Sequence, residues 1–227
     1  MLGDATVGRV GTPTRADRAA GRETREKLLL TAERLFAERG IDAVSVREIL
    51  DAAGHRNKNA AQYYFGGRDG LIAALVTARS EALNRRREVL LDELEADALQ
   101  HDLRALCAVL VRPLSEALDD PDSHFLGFLA RYQLDHPRVL LSRSVDRAHT
   151  ASYWRTAKLI RATTGLPRQE FTIRFSLAMD MCFTGLAGRR AQEQAGEPAL
   201  PSRTAFVDTL IDALCGVFGG AGAGPVS

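Results

Sequence analysis

The sequence predicts an all-α protein of about nine helices, an N-terminal three-helix helix-turn-helix unit followed by a larger helical bundle. Three observations predict this. Apolar residues recur three and four positions apart through most of the chain, and no window sustains the alternation of a strand. The breaks fall at turn-forming clusters: Asp119-Asp120-Pro121-Asp122, His136-Pro137, Gly165-Leu166-Pro167 and Gly196-Glu197-Pro198. Residues 45–68, SVREILDAAGHRNKNAAQYYFGGR, read as a short amphipathic helix, a tight polar turn and a second short helix rich in hydrogen-bonding side chains.

The elements follow in order. Residues 1–21, rich in Gly, Ala, Thr and Arg without periodicity, are expected to form a flexible basic arm. The helix-turn-helix unit is expected over 22–68. Leu28, Leu29, Ala32, Leu35 and Phe36 mark the inner face of its first helix, which Gly40 stops. Ser45 is placed to cap the second helix, with Glu48 three residues on to complete a capping box. Val46, Ile49, Leu50 and Ala53 give that helix its apolar face, and Gly54 supplies a left-handed stop. A third helix is expected at about 57–64.

The second domain is expected over 69–218. Asp69 opens a long helix to about Leu94, with Arg85-Arg86-Arg87 on a solvated section. Further helices are expected at about 101–119, 123–134, 138–164, 168–194 and 202–218. Residues 219–227, GGAGAGPVS, read as a disordered tail; the glycines do not match a dinucleotide fingerprint and follow no strand.

Composition excludes several classes of function. A chain of 227 residues, 45% hydrophobic and 26% charged, has the make-up of an ordinary globular protein with a sizeable core. The net charge of +1 rules out a bulk polycation, so any affinity for nucleic acid must come from local charge. Between Gly54 and Arg68 lie Arg56, Lys58, Arg68 and His55, and no acid. Cys107, Cys182 and Cys215 form no CxxC pair and read as reduced core thiols of a cytosolic protein. There is no signal sequence and no run of about 18 apolar residues, so a cytoplasmic protein without a membrane partner is expected. His124, His136 and His149 lack metal-ligand spacing. No nucleophile elbow, phosphate loop or supported carboxylate pair occurs, so neither an enzyme nor a metal or other cofactor is expected.

The ordered features of residues 24–76 resemble the TetR family of bacterial transcriptional regulators. The segment TREKLLLTAERLFAERGIDAVSVREILDAAG is similar to that family's first two helices, and QYYFGGRDGL fills its aromatic exit and the start of its fourth helix. There are departures. The stretch HRNKNAA is one residue longer than the commonest pattern, Ala61 replaces a leucine, Gln62 an aromatic and Tyr64 a histidine. A subset with a QYHF-like exit is closest.

A recognition helix presents its N-terminal residues to base edges in the major groove. Arg56 and Lys58 can donate to guanine; Asn57, Asn59 and Gln62 can pair with adenine. Taken alone, Arg56 and Lys58 would read as solvated charges. Ser45, Arg47 and Arg68 suit phosphate contacts, and Tyr63 and Tyr64 can turn hydroxyls to phosphates while their rings pack. Arg9, Arg15, Arg18 and Arg22 belong either to a plain tail or to an arm that touches DNA.

The resemblance implies that the bundle forms a homodimer and holds an effector pocket. Phe175, Cys182 and Leu186, with Phe206, Leu210 and Leu214, lie on two late apolar helices that fit either a four-helix dimer interface or internal core. His124, Phe128, Tyr132, His149, Tyr153, Trp154 and Met179 mix polar and apolar groups, as a pocket for a small hydrophobic effector does; the aromatics also fit plain core. The expected function is a homodimeric repressor of a pseudo-palindromic double-stranded DNA operator, released by a small molecule. The alternatives are an activator or a regulator controlled by a protein partner.

Overall fold

The computed structural model describes residues 15–135 and 147–219, and among these it is all-helical. The nine helices are α1 (Arg15–Arg39), α2 (Val46–Ala52), α3 (Ala60–Phe65), α4 (Arg68–Ala96), α5 (Leu103–Ser115), α6 (Phe125–Asp135), α7 (Ala151–Thr164), α8 (Arg168–Gln194) and α9 (Arg203–Gly219). Short 3-10 turns follow α5, at Glu116–Leu118, and precede α7, at Arg147–Thr150.

Three boundaries differ from expectation: those at the starts of α1 and α3, and that of α7, which begins at Ala151 after a 3-10 turn where helix is expected from 138. Helix α1 begins at Arg15, so the last third of the expected arm is helix. RADRAAGRETREK is rich in Ala, Arg and Glu, which propagate a helix well despite Gly21. Residues 1–14 of that arm, 138–146 of the expected seventh helix and 220–227 of the tail lie outside the described residues. Helix α3 begins at Ala60 rather than about 57. The Asn57 side chain accepts from the Asn59 backbone N–H at 2.9 Å, closing a local turn that competes with helix.

Helices α1, α2 and α3 pack around Leu28, Ala32, Phe36, Ile49, Leu50 and Ala61, all buried. The capping box at α2 forms as its sequence predicts: Ser45 Oγ accepts from Glu48 N–H at 3.2 Å, and Ser45 N–H donates to the Glu48 carboxylate at 2.8 Å. Gly40 and Gly54 both adopt positive φ, at 87° and 66°, as helix stops require.

Helix α4 is 29 residues long, and carries the chain from the helix-turn-helix into the bundle. Helix α5 is the hub of the bundle, packed by α4, α7, α8 and α9. Leu106, Cys107, Leu110, Val111 and Leu114 on α5 are fully buried, which suits a helix surrounded by others. Arg155 of α7 bridges Glu88 at 3.0 Å and also pairs with Glu95, both on α4.

The core does not stop at the domain boundary. Helix α1 packs on α6, with the Phe36 and Phe128 rings 6.2 Å apart. Gly127 lies so close to α1 that a Cβ there would stand 3.1 Å from the Ala37 Cβ. The Ile41 N–H donates to Asp135 at 3.2 Å. The Arg79 guanidinium of α4 grips the buried Glu33 carboxylate of α1 through two hydrogen bonds, at 2.6 and 2.9 Å.

Candidate nucleic-acid interface and ligand cavity

Helix α3 is amphipathic over only six residues. Ala60 and Ala61 are buried, which explains the absence of a larger residue at 61: this helix lies close against its neighbours. Asn59, Gln62 and Tyr63 lie at i, i+3 and i+4 and are exposed together, so they share the outer face. Tyr63 is 81% exposed, whereas Tyr64 and Phe65 are partly buried against the core. The two tyrosines therefore divide the roles expected of both. Tyr64 packs near Gly21 of α1, and Tyr63 stands free for a partner, its ring edge-on to that of Tyr64 at 4.9 Å.

Arg56, Asn57 and Lys58 precede α3, in the exposed turn. The structure thus keeps them beside the outer face of α3, but not on the helix expected to carry them. Asn57 spends its carbonyl oxygen on Asn59, leaving its NH2 free. Ser45 is exposed but its hydroxyl is already engaged, donating to Glu48 at 2.8 Å. Glu48 also accepts from Arg39 at 2.7 Å; these hydrogen bonds, those from Ser45 foremost, hold its carboxyl down to about 2. Arg47 is well exposed, 3.8 Å from Asp51. Arg68 donates to the Ile41 carbonyl and lies 3.9 Å from Asp42, so it ties the start of α4 to the α1–α2 loop.

The α3–α4 corner depends on glycines that sequence reading passed over. Gly66 caps α3 at φ 72° and Gly67 follows at φ 110°. A Cβ on Gly70 would lie 1.6 Å from the Phe65 carbonyl oxygen, so only glycine allows this approach of backbones.

A cavity lies in the bundle between α4, α6 and α7. It offers about 60 Å³ in which a water-sized sphere can move, within about 580 Å³ of empty space that includes its mouth. Val76, Arg79, Ser80, Leu83 and Arg87 line it from one face of α4, with Phe125, Phe128 and Leu129 from α6, and His149 and Tyr153 beside α7. Of the residues expected here, Phe128, His149 and Tyr153 are in place. Tyr132 and Met179 are buried elsewhere in the core, and Trp154 turns outward at 41% exposure; His124 stands outside the lining too. Arg87 corrects another expectation. The run Arg85-Arg86-Arg87 is expected on a solvated section, but Arg87 is 5% exposed. Burial lowers its pKa to about 10, still charged at neutral pH. The Tyr153 ring lies 5.6 Å from its guanidinium carbon, and burial raises that phenol too.

Phe175, Cys182, Leu186, Leu210 and Leu214 are buried within a single chain, so they are core rather than dimer surface. Phe206 is half-buried under Arg189. The large apolar residues that α8 leaves outside are Ile173 and Leu177, each 57% exposed. Among the described residues no cluster of His, Cys, Asp or Glu could hold a metal ion, and no helix is long and apolar enough to cross a membrane.

An exposed helix-turn-helix on a helical bundle, with no acid between Gly54 and Arg68, is the architecture of a DNA-binding regulator. Residues 28–75 match the family of bacterial regulatory proteins, tetR family. A TetR family transcription regulator from Marinobacter aquaeolei VT8 has a similar fold, with a TM-score of 0.57 and 16% identity, covering 88% of this chain and 97% of that one. A HlyIIR mutant with its residues 170–185 substituted by alanine is similar at a TM-score of 0.50 and 16% identity, covering 86% of this chain and 98% of that one. No curated protein matches the chain. Residues 28–75 thus carry the N-terminal domain of that family of regulators, and the rest of the chain shares the fold of these two structures.

Proposed function

We propose that the protein is a cytoplasmic homodimeric repressor, released from a pseudo-palindromic operator by a small molecule bound in the α4–α6–α7 cavity. The observation that carries this reading is the sharing of walls. The helices that line the cavity, α4 and α6, are also those that grip α1 of the DNA-binding head, through Arg79–Glu33 and Phe128–Phe36. A ligand that packs better against one arrangement of α4 and α6 than another shifts the population of head positions, by no more than that difference in affinity.

Base readout is assigned to Arg56, Lys58, Asn59 and Gln62, with Asn57 contributing its NH2. Arg47, Tyr63 and Ser45 suit phosphates, and Arg68 positions the corner while reaching the backbone only by giving up part of its grip on Ile41. Dimerisation is assigned to the outward faces of α8 and α9. Ile173 and Leu177 on α8 continue into Thr184 and Gly188, and α9 presents Ala205, Thr209, Ala213 and Gly216; all are exposed. Small and apolar side chains let such helices approach closely as a four-helix interface.

Footprinting DNA on either side of the protein's own gene, across a salt series, tests the reading. The expected result is a protected pseudo-palindrome. Protection that never exceeds that of unrelated DNA, at any salt concentration, contradicts it.

A further inference from the structure

Three arginines of the bundle are almost wholly buried, and two of them donate hydrogen bonds to the protein. Arg189 donates to Glu193 at 2.7 Å. Arg190 donates to the Asp120 carbonyl at 2.7 Å and to that of Ala117, although its Nε is buried without a partner. Arg87 is the exception. No described residue accepts a hydrogen bond from it or pairs with it, and its Nε is buried without a partner. Its nearest electrostatic neighbour is the face of Tyr153.

A buried cation without an anion is unfavourable, so one kept beside a cavity favours the binding of negative charge there. Arg87 lines that cavity. Among its described lining residues only Arg79, Arg87 and His149 can carry positive charge. Arg79 is neutralised by Glu33, and His149 lies 3.4 Å from Glu81. Among the described residues one unmatched positive charge therefore remains, on a guanidinium whose planar fork fits a carboxylate. Around it stand Leu83, Leu114, Phe125, Phe128, Leu129 and Phe183, which offer no further anchor for charge.

Building on the assignment of this cavity as the effector site, we propose that its ligand is a compact apolar monocarboxylic acid, bound with its carboxylate on Arg87 and its body against the α6 aromatics. The limited free volume favours one ring or a short chain. A phosphate monoester would bring more charge than a single guanidinium can balance.

Isothermal titration of the full-length protein with matched pairs tests this: benzoate against benzamide, hexanoate against hexanamide, and phenyl phosphate as the third charge type. The carboxylates are expected to bind at least about tenfold tighter than their amides. In Arg87→Met that ratio should fall to near one; Arg87→Lys, which keeps the charge but loses the fork, should retain part of it and serves if the methionine variant does not fold. Amides that bind as well as carboxylates, or a preference for phenyl phosphate, overturn the carboxylate assignment while leaving the cavity as an effector site. Carboxylate binding that depends on Arg87 but leaves operator affinity unchanged upholds the assignment and removes the effector role. Binding of no probe at millimolar concentration overturns both.

Discussion

Arg56 and Lys58 show how little a side chain's charge says without its setting. Each is exposed and could be mere solvated charge, yet both stand in the turn beside the outer face of α3, in a stretch without acids. If they read bases, Arg56→Ala and Lys58→Ala should each weaken specific binding by about 1–3 kcal/mol, measured by competition against non-specific duplex. A phosphate contact would instead weaken specific and non-specific binding alike and flatten the salt slope. Gly70 carries a sharper expectation. With its Cβ position 1.6 Å from a backbone oxygen, Gly70→Ala must move α3 against α4. A loss of roughly 1–3 kcal/mol or more in urea unfolding, with operator binding lost first, is expected. Ser45 and Glu48 were legible in the sequence as a capping box, and the structure contains it. Arg87 was not legible. Its place in a run of three arginines suggests solvent, and only the fold shows which of the three turns inward.

At the scale of elements, periodicity located all nine described helices but left their faces ambiguous where apolar residues occur on more than one side. Helix α8 is the clearest case. Phe175, Cys182 and Leu186 face inward while Ile173 and Leu177 face out, and spacing alone cannot say which row meets a second chain. The same ambiguity let Tyr132 and Met179 stand as pocket residues when they are core. Leu177→Arg should leave the monomer folded and shift light scattering from dimer to monomer mass; a dimer that survives places the interface elsewhere. Helix α2 offers a pH test. The Glu48 carboxyl lies at about 2 in the fold against an ordinary value of 4.5, a lowered pKa. Its stabilising contribution is therefore complete above pH 4.5 and is lost as pH falls through about 2. The difference in melting temperature between wild type and Glu48→Gln should be constant near neutrality and shrink over that acid window. The start of α3 was missed because a side chain, Asn57, closes the turn that precedes it, an interaction that helix periodicity does not register.

At the scale of the molecule, the head and bundle share one continuous core through α1, α4 and α6. The sequence divides them at residue 68, and the composition gives no hint that Phe36 meets Phe128 or that Glu33 meets Arg79. Such contacts between distant segments are invisible to local pattern, yet they are what could let a ligand in the bundle alter the head. Glu33→Gln should loosen this grip and reduce any ligand-dependent change in operator affinity more than it reduces operator affinity itself. Equal losses in both would point to simple destabilisation. All of this rests on sequence-specific DNA binding, and selection from a pool of randomised duplexes at physiological salt tests that most directly. The account predicts enrichment of a pseudo-palindrome whose half-sites are spaced by about 34 Å or a multiple, bound by paired protomers and lost when Arg56 and Lys58 are both replaced by alanine. A pool that emerges without a shared sequence, or an enriched site indifferent to both replacements, would contradict it.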